Sequence, residues 1–205
     1  YTQFGGVKVT GGTVNATGGV TSSSGNYGIY AQHGGVEVAG GTVTANGGEV
    51  TELGYSYGIY TQYGGVSVAD GTVTANGGES TGGDSYGIYT TSGNVTVDGG
   101  EVEATGGAVA SNEGDVTAKG GTTAPAAEGN TARSYGIRAG ITTAINGGTV
   151  NAAGGQADGG YAYGIYSDTV NISGGEVEAA GGTAGTDGVS YGLCALFDVA
   201  ISGGD

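Results

Sequence analysis

The phrase Tyr-Gly-Ile returns at Tyr27, Tyr57, Tyr86, Tyr135 and Tyr163, with Tyr191-Gly192-Leu193 as a variant, at intervals of 30, 29, 49, 28 and 28 residues. A fixed period constrains the fold before any local propensity does, because each repeat must become the same supersecondary unit. Between the copies lie short alternating runs such as "VEV", "VSV", "VTV" and "TVTA", separated by Gly-rich corners. Alternation of this kind reads as β-strand. A run so short cannot bury its apolar side within its own repeat, so it must stack on the equivalent run of the next.

The expected fold is therefore all-β. It is a three-sided parallel β-solenoid of about seven rungs, right-handed as parallel crossovers prefer, forming one domain over residues 1–205. The interval of 49 divides as 21 plus 28 if the segment from Tyr86 slides forward by 21, which sets Ile88 over Val109 and Val95 over Val116. The minimal coil is then 21 residues with loop insertions of 7–9 residues, and coils start near 27, 57, 86, 107, 135, 163 and 191. A chain that opens and closes inside a repeat reads as part of a longer repeat protein.

Alternation assigns the faces. Ile29, Ile59, Ile88, Val109, Ile137, Ile165 and Leu193 form one inward ladder, while Val36 with Val38 and Val43 with Ala45 begin the other two walls. Gly pairs at the corners supply positive φ or close backbone approach. The first Tyr of each phrase, Tyr27, Tyr57, Tyr86, Tyr135, Tyr163 and Tyr191, follows a long loop and is expected to anchor it. The residue after each Ile points outward and reads Tyr1, Tyr30, Tyr60, Tyr89, Ala110, Arg138, Tyr166, Cys194. Tyr30, Tyr60, Tyr89 and Tyr166 are the candidate ligand-binding residues, an exposed aromatic strip with Gly28, Gly58 and Gly87 expected beside it on the outer side; the other reading is that the stacked tyrosines simply stabilise the sheet. Gln3, Gln32 and Gln62 are expected to form a structural amide ladder.

The "GGTVTA.GG" and "SYGIY" units resemble the Gly-rich, right-handed parallel β-helix repeats of large secreted or wall-attached bacterial proteins, often described as adhesin-like or carbohydrate-binding. That resemblance spans essentially the whole chain. It implies an extracellular or cell-surface location and glycans or host and cell-surface molecules as partners.

Composition narrows the function classes. The chain has 51 glycines and a formal net charge of −15 with four basic residues, Lys8, Lys119, Arg133 and Arg138. No cationic face exists to neutralise phosphates, which argues against nucleic acid, and no apolar run is long enough to insert in a membrane as a helix. Cys194 is alone, so no internal disulfide forms. Neither a metal site nor a cofactor is expected. His33 sits on a corner with no triad partner, and Asp70, Asp98 and Asp115 read as turn residues. Glu101 with Glu103 and Glu176 with Glu178 stand i, i+2 on one strand face, a spacing compatible with glycoside hydrolysis; nothing in the sequence buries one of them to raise its pKa. No catalytic residue is assigned. The leading expectation is a noncatalytic structural or adhesive segment. The alternatives are a subunit associating end to end into a filament and a carbohydrate-active enzyme. The regular Thr rows of the "TVTA" runs, which Glu interrupts, leave ice binding a remote option.

Overall fold

A computed structural model describes residues 1–52, 54–81, 84–97, 99–105, 115–119, 123–124, 133–139, 142–147, 149–157, 160–184 and 188–204. Every strand pair among them is parallel. The chain winds into a β-solenoid of about five turns, because like residues in successive repeats stack and share one core.

Three long walls enclose the bore. The tyrosine wall holds Ser24–Ala31, Gly54–Thr61, Ser85–Thr90, Arg133–Ala139 and the first parts of Tyr161–Ile172 and Val189–Ile201. The valine wall holds Val7–Val9, the first parts of Val36–Asn46 and Val66–Asn76, Val95–Val97 and Thr142–Ile145, with the second parts of Tyr161–Ile172 and Val189–Ile201. The threonine wall holds Thr13–Thr17, the second parts of Val36–Asn46 and Val66–Asn76, then Glu101–Thr105, Asp115–Lys119, Thr149–Ala153 and Glu176–Ala180. The segments expected to be loops open with a two-residue strand of their own. Val20–Thr21, Glu49–Val50, Ser80–Thr81, Thr123–Ala124, Gln156–Ala157 and Thr183–Ala184 form a fourth, narrow ladder.

The inward ladder is as alternation requires. Ile29 pairs with Ile59, Ile59 with Ile88, Ile137 with Ile165 and Ile165 with Leu193. Ile59, Ile88, Ile137 and Ile165 are fully buried, together with Val38, Val43, Val68 and Val73 from the other walls. Burying one such side chain contributes about 1.5–3 kcal/mol, and the gain is collective, since each rung covers the next.

The long interval is solved differently from the 21-residue slide. Val109 lies outside the described residues. On the tyrosine wall, however, Tyr89 pairs directly with Arg138, which brings Ile88 beside Ile137 with no rung between. The coil expected to start near 107 falls, up to residue 114, outside the described residues. On the threonine wall Val116 pairs with Val102 and then with Val150, not with Val95. Among the described residues, the surplus thus adds one long-wall strand, Asp115–Lys119, on the threonine wall. The sequences "EVEAT" and "DVTAK" carry Val and Ala at the same alternate places, so period-two pattern fits either register and cannot choose between them.

Corner chemistry explains part of the glycine excess. Gly12, Gly41, Gly71, Gly100, Gly175 and Gly204 stand at one corner with φ between 77° and 97°, the left-handed region where a Cβ is strained. The residue before them is freer: Asp70 occupies it in one turn, and its carboxylate accepts a hydrogen bond from the Gly71 amide at 2.8 Å.

Candidate functional site

Two columns of tyrosine run side by side along the solenoid. The first joins Tyr27, Tyr57, Tyr86, Tyr135, Tyr163 and Tyr191, with successive ring centroids 5.0, 5.1, 5.6, 5.0 and 5.4 Å apart and interplanar angles of 3° to 10°. The second contains Tyr1, Tyr30, Tyr60 and Tyr89, spaced 4.9, 4.9 and 5.6 Å. The columns touch: Tyr57 meets Tyr60, and Tyr86 meets Tyr89, at 4.9 Å. Such pairs add about 0.5–1.5 kcal/mol each beyond their buried area.

This arrangement depends on Gly58 and its equivalents. Tyr57 and Ile59 are two apart and would share a face in a regular strand, yet Ile59 enters the bore while the Tyr57 ring joins the outer column. The strand changes phase at Gly58, where a Cβ would lie 2.7 Å from the Asn76 amide nitrogen and 2.8 Å from the Ala45 carbonyl oxygen. These glycines consequently face the backbone across the bore. The expectation that they border the Tyr strip on the outside is corrected, and the reason is the phase change.

The first-column tyrosines meet the residue two before them, which belongs to the loop. The hydroxyl end of Tyr27 occupies the place a Cβ on Gly25 would take, Tyr55 tilts onto Tyr57 at 6.2 Å, Tyr161 stacks on Tyr163 at 6.0 Å, and the Tyr86 hydroxyl donates to Asp84 Oδ2 at 2.7 Å. Ser56 and Ser85, one residue earlier than Tyr57 and Tyr86, point inward and donate to the carbonyls of Gly48 and Gly78 at 2.7 Å. The "SYG" phrase thus ties the loops before Tyr57, Tyr86 and Tyr191 to the preceding Gly-Gly corner. Sequence reasoning missed this serine role, although Ser precedes Tyr in several repeats.

The candidate ligand residues Tyr30, Tyr60, Tyr89 and Tyr166 are half-buried. The faces of Tyr30 and Tyr60 are turned to neighbouring rings, and their hydroxyls are engaged as well. Tyr1 donates to Gln32 Oε1 at 2.9 Å, Tyr30 to Gln62 Oε1 at 3.1 Å, and the Tyr60 hydroxyl pairs with that of Thr91 at 3.1 Å. Gln32 and Gln62 therefore serve tyrosine hydroxyls of the preceding turn, where an amide-to-amide ladder was expected.

Arg138 fills the second column between Tyr89 and Tyr166. Its guanidinium carbon is 5.1 to 5.8 Å from the centroids of Tyr86, Tyr89, Tyr135 and Tyr166, and Nη1 donates to the Tyr86 hydroxyl at 2.8 Å. Burial raises the Asp84 pKa, against the pull of the Tyr86 hydrogen bond and of Arg133 and Arg138. Burial likewise pushes Tyr135 up to about 12, with Arg138 opposing, and holds Tyr57, Tyr86 and Tyr163 well above the usual tyrosine range. Ala110 and Asp98 lie outside the described residues.

The acidic pairs are on the open threonine wall. Glu101, Glu103, Glu176 and Glu178 are all exposed. Among the described residues no group of three His, Cys, Asp or Glu converges as a metal site, and no helix is long and apolar enough to cross a membrane. Lys8 pairs with Glu37 at 2.6 Å, both exposed, a contact of little energetic weight.

A family model described as a beta helix repeat matches residues 7–29, 36–59, 95–112, 144–165 and 170–191, more than half of the chain. No curated protein and no solved structure matches it.

Proposed function

From a chain that belongs to the beta helix repeat family, we propose a noncatalytic extracellular spacer, a stiff segment of a surface protein that holds other parts away from the cell. The fold alone does not decide this, since β-helices serve enzymes and non-enzymes alike. The observation that carries the reading is the paired tyrosine column. Its ring faces and hydroxyls are spent on neighbouring turns, which suits the mechanical continuity of a rod better than reception of a ligand. The carboxylates that could act in pairs are solvated on a flat wall, and the half-buried Asp84 is held by Tyr86. Four basic residues in 205 leave few cleavage points for proteases that cut after Lys or Arg.

Force spectroscopy combined with polysaccharide-degradation assays tests the proposal. A spacer resists extension and then releases lengths corresponding to whole turns of 28 to 30 residues, with no product from any polysaccharide. Hydrolysis abolished by Glu101→Gln would replace this reading with the enzyme.

A further inference from the structure

The chemistry left free by the fold lies one corner away from the tyrosine columns. A groove of about 630 Å³ runs along the valine wall, floored by Gly6, Gly35 and Gly65 and rimmed by Glu37, Ser67 and Thr96. The glycine floor has a packing cause: a Cβ at Gly35 would lie 2.6 Å from the Gly65 carbonyl oxygen. Its effect on the surface is a trough in which a ligand reaches the backbone.

Beside that floor stands a separate aromatic shelf. Phe4 stacks on His33 at 5.5 Å and His33 on Tyr63 at 5.0 Å, with interplanar angles of 6° and 10°. The shelf is solvated, Tyr63 being 54% exposed although it sits on an interior turn. It also stops there. Thr61 pairs with Thr90, so the next turn places Ser92 where another ring would continue the stack, and His33 is the only stacking partner of Tyr63 among the described residues. The other face of the Tyr63 ring thus carries no second ring among the described residues, unlike the Tyr60 ring, which has Tyr30 on one side and Tyr89 on the other.

We propose that this groove binds a neutral glycan chain, with one sugar stacked on the face of Tyr63 turned away from His33 and the chain lying along the glycine floor. Charge selects the class: the chain is strongly acidic and the groove's lysine, Lys8, is matched by Glu37, so an anionic polymer finds no counter-charge. The side chains of Ser67, Asn94 and Thr96 offer neutral donors and acceptors that make no hydrogen bond among the described residues, the pattern that recognises hydroxyls. The trough has no deep apolar pocket to seat peptide side chains, which disfavours an extended peptide. This goes beyond the spacer reading, which stands with or without a ligand.

The test is calorimetric titration of the intact protein with hexasaccharides of β-1,4-glucan, β-1,3-glucan, xylan and mannan, and with oligogalacturonate as the anionic comparison. At least one neutral hexasaccharide binds. Tyr63→Ala weakens it by about tenfold or more, Ser67→Tyr, which fills the trough, abolishes it, and Thr44→Tyr on the threonine wall leaves it unchanged. Circular dichroism melting of each variant confirms that the fold persists. Overturning results are folded protein that binds none of the four, binding indifferent to both groove substitutions, or preference for oligogalacturonate. None of these would alter the force response that tests the spacer.

Discussion

Arg138 donates from Nη1 to the Tyr86 hydroxyl across 52 positions of sequence, at 2.8 Å, and that hydroxyl in turn donates to Asp84. The bond joins the two turns between which the tyrosine wall gains no strand while the threonine wall gains one. Where the solenoid departs from its period, a cation enclosed by four rings replaces a tyrosine.

Arg138→Ala should therefore cost about 2 kcal/mol of stability, from lost cation–π contact, a Tyr86 hydroxyl that loses its donor, and a half-buried Asp84 carboxylate left with Arg133 as its remaining counter-charge. Thermal melts of Arg138→Ala, Asp84→Ala and the double variant form a cycle. The two should couple by more than about 0.5 kcal/mol; strict additivity would mean the network is incidental.

Gly71→Ala tests the corner. The φ of 97° penalises any side chain, and a Cβ would come 2.5 Å from the Gly41 carbonyl oxygen. A loss exceeding about 1–2 kcal/mol is expected. The neighbouring Asp70→Gly should cost much less, since it removes only the bond to the Gly71 amide.

Thr143 is fully buried opposite Val170, and its hydroxyl has no hydrogen-bond partner among the described residues. Thr143→Val keeps the shape and removes an unsatisfied polar group, so denaturant midpoints should rise by the equivalent of about 1 kcal/mol. An unchanged or lower midpoint would reveal a partner for that hydroxyl.

Stability should fall as the solution becomes alkaline. Unfolded tyrosines ionise near 10.0, whereas Tyr135 in the folded chain holds its proton to about 12 and Tyr57, Tyr86 and Tyr163 are also raised. The folded state binds more protons through that window, so its advantage is complete below 10 and is lost as pH climbs. Asp84 acts in the same sense at acid pH: its raised carboxyl favours the folded state as pH drops toward 3.8. Tyrosinate absorbance followed during titration should show exposed residues ionising first and the first-column residues only with unfolding.

Much of the architecture was legible because a stacked repeat writes its core into the sequence. Ile29, Ile59, Ile88, Ile137, Ile165 and Leu193 could be read straight off a recurring phrase, and so could the positive-φ corner at Gly41 and Gly71. Two things were not legible. The phase change at Gly58 inverts the alternation that assigns faces, and only a close backbone approach reveals it. The register of Asp115–Lys119 rests on whether the chain travels round the tyrosine wall, which a two-residue period does not encode. The ligand question shifted for a related reason: the alignment of Tyr30, Tyr60 and Tyr89 in the sequence allows either mutual stacking or a strip that receives a ligand, and it is the ring contacts that favour stacking. The exposed ring at Tyr63 was visible only as one more tyrosine in "TQYGG", a step beyond His33.

The most direct measurement is a methyl–methyl nuclear Overhauser experiment on protein labelled at Ile, Leu and Val. Stacking as described gives a strong cross-peak between Ile88 and Ile137, flanked by Ile59 on one side and Ile165 on the other. A strong Ile88–Val109 cross-peak with none to Ile137 would insert a full turn between them. The tyrosine columns, the Arg138 site and the account built on them would then be wrong.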